Sequence, residues 1–171
     1  MPDRFGMKAR QASRENGSRE RTLAWSALCD IATRTPFLRK VEESDPDSSY
    51  HVAEVLIDSG PLIDSLDALG HSIAEPNALF VPLLIDATRE VRVLAEMRPA
   101  WIQHCDEHSP ALTGLSSHTG MRYIDGRAMR TWSRVEEVKA ATERAESALR
   151  QLYVALVEFY GYDVTTGWGA A

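Results

Sequence analysis

The sequence has few cysteines, no long hydrophobic run, and no basic residue across one long interval. Its only cysteines, Cys29 and Cys105, form no CxxC pair, which favours reduced thiols and a cytoplasmic protein. The longest apolar run, residues 78–85, is eight residues long and contains Pro82, whereas a membrane-spanning helix needs about 20 apolar residues. We therefore expect no membrane span, and the polar N-terminus lacks the apolar core of a secretory signal.

The missing basic residues leave the charge unevenly divided. No Lys or Arg occurs between Lys40 and Arg89, and this 48-residue interval carries ten acidic residues. Residues 1–40 hold nine basic and four acidic residues, a net charge of +5, while the rest of the chain carries −11. We therefore expect the basic front end to contact an acidic surface of a protein partner or a neighbouring copy, or nucleic acid. A pI near 5.4 argues against a dedicated nucleic-acid binder, because the acidic body repels phosphate.

Composition and length indicate one globular domain with two short flanking segments. The chain has 171 residues, of which 44% are hydrophobic and 26% charged. Residues 1–18 contain few large apolar side chains, so we expect a mobile, basic N-terminal arm. Residues 19–162 form the predicted domain, and residues 163–171 form a C-terminal tail. Trp168 in this tail either anchors another subunit or packs back onto its own domain.

Helical periodicity dominates residues 19–162 and predicts an all-α bundle of about five to six helices. A short helix is predicted from Pro61, which suits a first turn, to a point near Gly70. The Ser72-x-x-Glu75 pattern resembles a capping box that opens the next helix, in which Pro82 either kinks the helix or delays its start. Residues 109–126 are polar and carry three glycines, which predicts a long connection that is functional or mobile.

The strongest helical pattern in the sequence lies in residues 127–160. Residues 127–160 contain no Gly or Pro, which predicts one long helix of about 50 Å. Apolar residues repeat every seven positions from residue 138, with a second set four positions later, as in a coiled-coil seam. Such a seam is either the central post of a bundle or a contact between chains. The candidate interaction residues are therefore Val138, Ala145, Leu149, Leu152, Leu156 and Phe159, together with Trp168.

A second pattern could hold a metal ion. Residues 104–108, HCDEH, fit H-x-x-E-H, in which His104 and His108 share one helix face and Glu107 could act as a base. These residues resemble the zinc motif of pitrilysin-type peptidases, although the match covers only five residues. That family's downstream glutamate ligand and mixed α/β domain have no counterpart in this sequence. His118 could supply a third nitrogen ligand, which makes zinc the possible metal. The alternative is a polar helix end that leads into Ser109-Pro110, and the expectation from the sequence is that the protein has no cofactor.

Two further patterns resemble nucleases. Residues 55–63, VLIDSGPLI, look like the first strand and turn of PIN-domain nucleases. That resemblance implies a divalent-metal site with Asp58 as the first ligand and Asp86 or Glu90 as the second. After residue 98, however, we find no later strand that ends in an acidic residue.

The spacing of Arg98 and His104 resembles the Arg-x(4–6)-His motif of HEPN-type ribonucleases, which are helical bundles. In that family the two side chains approach the scissile phosphate, generally from two subunits at a dimer face. No glycine-rich phosphate loop, nucleophile elbow or E-x-x-H pair occurs in the sequence.

Since helix-packing patterns outnumber catalytic ones, the sequence predicts a non-enzymatic helical subunit of a larger homo- or hetero-complex. Its terminal segments would become ordered on assembly. The alternative is a metal-dependent PIN-like nuclease or a HEPN-like nuclease.

Overall fold

The computed structural model describes residues 4–34, 56–73, 78–108 and 126–162, and the side chains of all these except 4–16, 108 and 126–128. Within these ranges the chain forms six helices of four or more residues and no strand, so the predicted all-α fold class is confirmed. No helix in the described ranges is long and apolar enough to cross a membrane. The helices are α1 (Arg4–Arg34), α2 (Gly60–Ser72), α3 (Val81–Ala95), α4 (Arg98–His108), α5 (Gly126–Thr131) and α6 (Val135–Tyr160).

Prolines and one glycine set most of the helix boundaries. Pro61, Pro82 and Pro99 each lie in the first turn of their helix, where the missing N–H removes no intrahelical hydrogen bond. Gly161 ends α6 in the left-handed conformation, with φ of 62°. The capping box predicted at Ser72 is wrong, because Ser72 is the last residue of α2 and its hydroxyl donates to a carbonyl of the same helix.

The long C-terminal helix is confirmed, but it begins at Val135 and not at Arg127. Residues 132–134 separate it from α5, although they include no Gly or Pro. Trp132, in this break, is buried against Trp101 of α4, with ring centroids 5.1 Å apart. The interruption thus coincides with the packing of this ring, which an uninterrupted periodic pattern does not predict.

At the other end of the chain, α1 begins at Arg4, so the backbone of residues 4–18 continues into the first helix of the domain. No break in secondary structure separates the predicted arm from α1. The mobility of residues 1–18 remains a prediction.

Contacts along α6 show that it runs antiparallel to both α1 and α3. On the α1 side, Tyr160 bonds Glu20, and seven residues earlier Tyr153 lies near Cys29. On the α3 side, ring contacts join Phe80 to Phe159, and an ion pair joins Glu90 to Arg144. In both pairs of helices the residue numbers run in opposite directions.

α2 completes the bundle between α1 and α3. It is antiparallel to α3, because Gly70 lies beside Leu84 whereas the earlier residue Asp67 bonds Arg92. It also packs along α1, where the hydroxyl of Ser65 donates to Asp30. α1, α2, α3 and α6 therefore form an up-down-up-down four-helix bundle in which each helix contacts two neighbours.

The core of the bundle consists of aliphatic side chains from all four helices. α4 and α5 close one end, where Trp101, His104 and Trp132 are buried together. The opposite end holds the start of α3, the last turn of α6 and the middle of α1. The large side chains with almost no exposure are Ile31, Leu56, Ile57, Leu62, Leu66, Leu69, Phe80, Leu94, Met129, Leu149, Leu152 and Leu156.

Candidate interaction surface

Five aromatic rings lie at the end of the bundle opposite α4 and α5, and each ring contacts at least one other ring of the group. Phe159 contacts Phe80 at a centroid distance of 4.9 Å, and Phe80 contacts Tyr160 at 5.7 Å. Tyr160 in turn contacts Tyr162 at 5.5 Å, and Tyr162 contacts Trp25 at 5.1 Å. These five residues connect α1, α6 and the turn before α3. We call this group, together with Leu79 beside Phe80, the aromatic end.

Several apolar side chains at the aromatic end are exposed to solvent. The exposed fraction is 87% for Leu79, 45% for Phe159 and 43% for Trp25. Single exposed apolar residues are normal on any protein surface, and Ile85 and Val154 are such residues elsewhere on the bundle. An exposed group continuous with a buried aromatic cluster is more typical of a protein–protein contact site.

Polar contacts fix the tyrosines of the aromatic end to α1. The hydroxyl of Tyr160 donates to the carboxylate of Glu20 at 2.6 Å, and that carboxylate belongs to a residue with only 6% exposure. The hydroxyl of Tyr162 donates to the backbone carbonyl of Arg21 at 2.5 Å. The guanidinium of Arg21 lies 5.1 Å from the centre of the Tyr162 ring. These contacts hold the two tyrosines of the aromatic end against α1.

The environment of Tyr160 favours its neutral form. Burial raises the pKa of its phenol well above the ordinary value, and the hydrogen bond to Glu20 and the charge of that carboxylate raise it further. Burial also raises the pKa of Tyr162. Phenolate formation at this end of the bundle therefore opposes folding.

We expect the free energy of unfolding to fall at alkaline pH. Tyrosine in the unfolded chain has a pKa of about 10, and the pKa of Tyr160 is higher in the fold. The stabilisation is therefore complete below about pH 10 and is lost as the pH rises above it. Urea denaturation across this range measures the effect. A Tyr160→Phe variant should show a shallower decline, and an unchanged slope in that variant would contradict the assignment.

Apart from the aromatic end, the surface has an open groove of about 560 Å³ between α2 and α3. Asp67 of α2 and Arg92 of α3 form an ion pair at 2.5 Å in its lining. His71 donates from Nδ1 to the Asp67 carbonyl at 2.7 Å, which leaves Nε2 as the acceptor of the neutral ring. Its aliphatic lining residues are Leu66, Ile73, Val81, Leu84, Ile85 and Val93.

The structure describes the side chains of two residues of the predicted zinc motif, His104 and Glu107. His104 is buried, and its ring stacks on Trp101 at 5.8 Å with an interplanar angle of 24°. Glu107 is exposed and accepts a hydrogen bond from Gln103 at 2.8 Å. The side chain of His108 and all of His118 lie outside the described residues. In the described ranges, no group of three or more His, Cys, Asp or Glu side chains is placed to hold a metal ion.

One ion pair joins a residue of the PIN resemblance to a residue of the HEPN resemblance. Asp58, the first ligand implied by the PIN resemblance, accepts a hydrogen bond at 2.7 Å from Arg98, the arginine of the HEPN resemblance. The other two carboxylates also face arginines: Asp86 lies 3.1 Å from Arg89, and Glu90 lies 3.2 Å from Arg144. Each of these carboxylates therefore has a cationic partner within its own bundle.

The structure divides the predicted interaction residues into two groups. Five of them are at most 1% exposed and face the chain's own helices, so in this fold they pack inside the bundle. Phe159 belongs to the aromatic end, and Trp168 lies outside the described residues. The buried residues of the seam are Val138, Ala145, Leu149, Leu152 and Leu156.

Other residues of the aromatic end were missed by the sequence analysis. Leu79 and Phe80 lie within the apolar run at 78–85, which resembles an ordinary core segment. Tyr160 and Tyr162 flank Gly161 at the end of the last helix, and this aromatic doublet was the available signal. The sequence gives no signal for Trp25, because its contact with the other rings depends on how α1 packs against α6.

Comparison with known proteins adds no assignment. The chain matches no protein-family model, and no curated protein or solved structure shows significant similarity to it. The geometry and charge of the molecule itself therefore carry the case for its function.

Proposed function

We propose that the protein is a non-enzymatic helical subunit that assembles with a second protein chain through its aromatic end. The observation that carries this proposal is the exposure of Leu79 and Phe159 beside a cluster of aromatic rings from α1, α6 and the turn before α3. Burial of apolar area contributes roughly 25 cal/mol per Å². Covering two large side chains at the centre of a contact would therefore favour association.

The ring contacts behind this surface also support the proposal. Hot spots of protein interfaces are enriched in aromatic residues, and side chains that are already ordered lose less entropy when a partner binds. Phe159 contacts the rings of both Phe80 and Tyr160, and Tyr160 is bonded to α1. The surface thus combines exposed apolar area with a fixed shape.

The same proposal places the protein in the cytoplasm and assigns it no cofactor. Its two cysteines, Cys29 and Cys105, are both free thiols, as expected in a reducing compartment. Burial, together with the negative charge of Asp30, raises the pKa of Cys29, which disfavours a reactive thiolate.

Site-specific photo-crosslinking in the host cells tests the proposed function. A photoreactive amino acid replaces Leu79 or Phe159 in the full-length chain, and the same replacement at Val154 is the matched control. Val154 is exposed to a similar extent as Phe159 and is on the same helix. We expect one discrete adduct at positions 79 and 159 and at most diffuse labelling at position 154. Equal labelling at all three positions would overturn the proposal.

A further inference from the structure

The first helix continues well past the core of its own bundle. Among residues 17–34 of α1, whose side chains the structure describes, the buried residues lie between Glu20 and Ala32, and residues 17–19 are exposed. The helix nevertheless begins at Arg4, so its axis runs about 24 Å beyond Glu20. Since α1 is antiparallel to α6 and Glu20 meets Tyr160 in the last turn of α6, these residues pass beyond the aromatic end. We call residues 4–19 the α1 extension.

The α1 extension is basic, and its axis leads away from the other described helices of its own bundle. Residues 4–19 contain five basic residues and one acidic residue. The acidic part of the chain lies mainly in residues 41–171, which carry a net charge of −11. Because α1 is one continuous helix, the extension runs away from its own α2, α3 and α6. With respect to the helices that the structure describes, an acidic surface that meets the extension therefore belongs to another molecule.

The chain itself offers a surface of suitable charge and length. α2 contains no Lys or Arg and lies in the interval that lacks basic residues. Of its two carboxylates, Asp67 is already paired with Arg92 of α3, which leaves the exposed Asp64 as the charge that faces solvent. Its 13 residues span about 20 Å, close to the length of the α1 extension. Its C-terminal end lies toward the aromatic end, because α2 is antiparallel to α3. A second bundle that meets the aromatic end, turned about the bundle axis so that its α2 faces the extension, would therefore bring the two segments side by side.

We infer that the chain seated on the aromatic end is a second copy of this protein, related by a two-fold axis. This inference rests on the proposed function and names its partner. The two aromatic ends pack on each other, and the α1 extension of each copy lies along α2 of the other. A two-fold arrangement forms both contacts at once and closes the assembly as a dimer. Opposite charges set the register, and the apolar aromatic end supplies the buried centre.

Charge reversal on the two sides of this contact tests the inference. In one variant, Arg10→Glu and Arg14→Glu reverse two charges of the α1 extension; in the other, Asp64→Lys reverses an exposed charge of α2. Light scattering coupled to size exclusion should find a dimer for the wild-type chain. Each variant alone should dimerise about tenfold or more weakly, because both of its contacts then juxtapose like charges.

Mixing the two variants is the decisive step. In the mixed dimer both contacts again join opposite charges, so dimerisation should return to the wild-type level. Glu143→Lys is the matched control, since it makes the same charge change on an exposed position of α6, diagonal to α2 in the bundle. Circular dichroism verifies that each variant is folded. A mixture that associates no better than its components would overturn the two-fold contact.

The proposed function and this inference fail in different ways. A wild-type chain that stays monomeric at every concentration overturns the second copy as partner. Crosslinks at positions 79 and 159 to a different protein would then still support the proposed function. Absence of position-specific crosslinks together with a monomer would remove both.

Discussion

Replacing Phe80 with alanine is expected to lower the free energy of unfolding by about 3–5 kcal/mol. Phe80 is fully buried, and its ring contacts Phe159 and Tyr160 at the junction of α3 and α6. Truncation removes apolar contacts and leaves a cavity between helices that collapse only partly. Urea denaturation followed by circular dichroism measures the loss.

The neighbouring residue provides the control for this prediction. Leu79 is 87% exposed, so Leu79→Ala should change the free energy of unfolding by no more than about 0.5 kcal/mol. Two adjacent apolar residues would thus differ strongly in their contribution to stability. If both variants lost similar stability, Phe80 would not be the buried member of the pair and the described aromatic end would be wrong.

Leu152→Ala is expected to cost about 2–5 kcal/mol of stability. Leu152 has no exposed surface and lies near the centre of the face that α6 turns toward the core. This cost separates the two alternatives for the seam. A residue that packs within its own bundle destabilises the monomer when truncated, and the loss does not depend on protein concentration.

Val154→Ala is the control on the same helix. Val154 lies two residues further along α6 but is exposed, so this substitution should cost no more than about 0.5 kcal/mol. A loss in Leu152→Ala that shrinks on dilution, as the chains separate, would instead indicate that the seam is an interface between chains.

At the residues of α6, sequence pattern and structure largely agree. The seven-residue repeat from Val138 to Leu156 predicted which face of the last helix is apolar, and the structure buries that face. Phe159 follows the same repeat but stays exposed, because it lies in the last turn of α6, where the bundle ends. Periodicity gives the direction of a side chain on its helix, whereas its burial depends on whether a neighbouring helix extends that far.

The start of the last helix illustrates the opposite case. The sequence has no Gly or Pro between residues 127 and 160, and local propensity favours one continuous helix. The chain nevertheless breaks at residues 132–134, where Trp132 packs against Trp101. The two tryptophans are far apart in sequence, so a rule that considers only neighbouring residues cannot predict this contact.

The candidate site depended even more on tertiary structure. Among the residues of the aromatic end, only Phe159 was identified from sequence, and it was grouped there with buried residues. Glu20 and Tyr160 are separated by 140 residues, and their hydrogen bond exists only because α1 and α6 run antiparallel. Likewise Asp58 and Arg98 suggested two different nuclease families, and the structure joins them in one ion pair.

The sequence by itself determined the all-α class, the short helices that begin at prolines, the apolar face of the last helix and the division between a basic front end and an acidic body. These features follow from the spacing and charge of neighbouring residues. Only the tertiary structure decided which apolar residues remain exposed, which rings meet at the end of the bundle, and in which direction the first helix leaves it. Such features depend on contacts between segments far apart in the chain, for which local pattern carries no information.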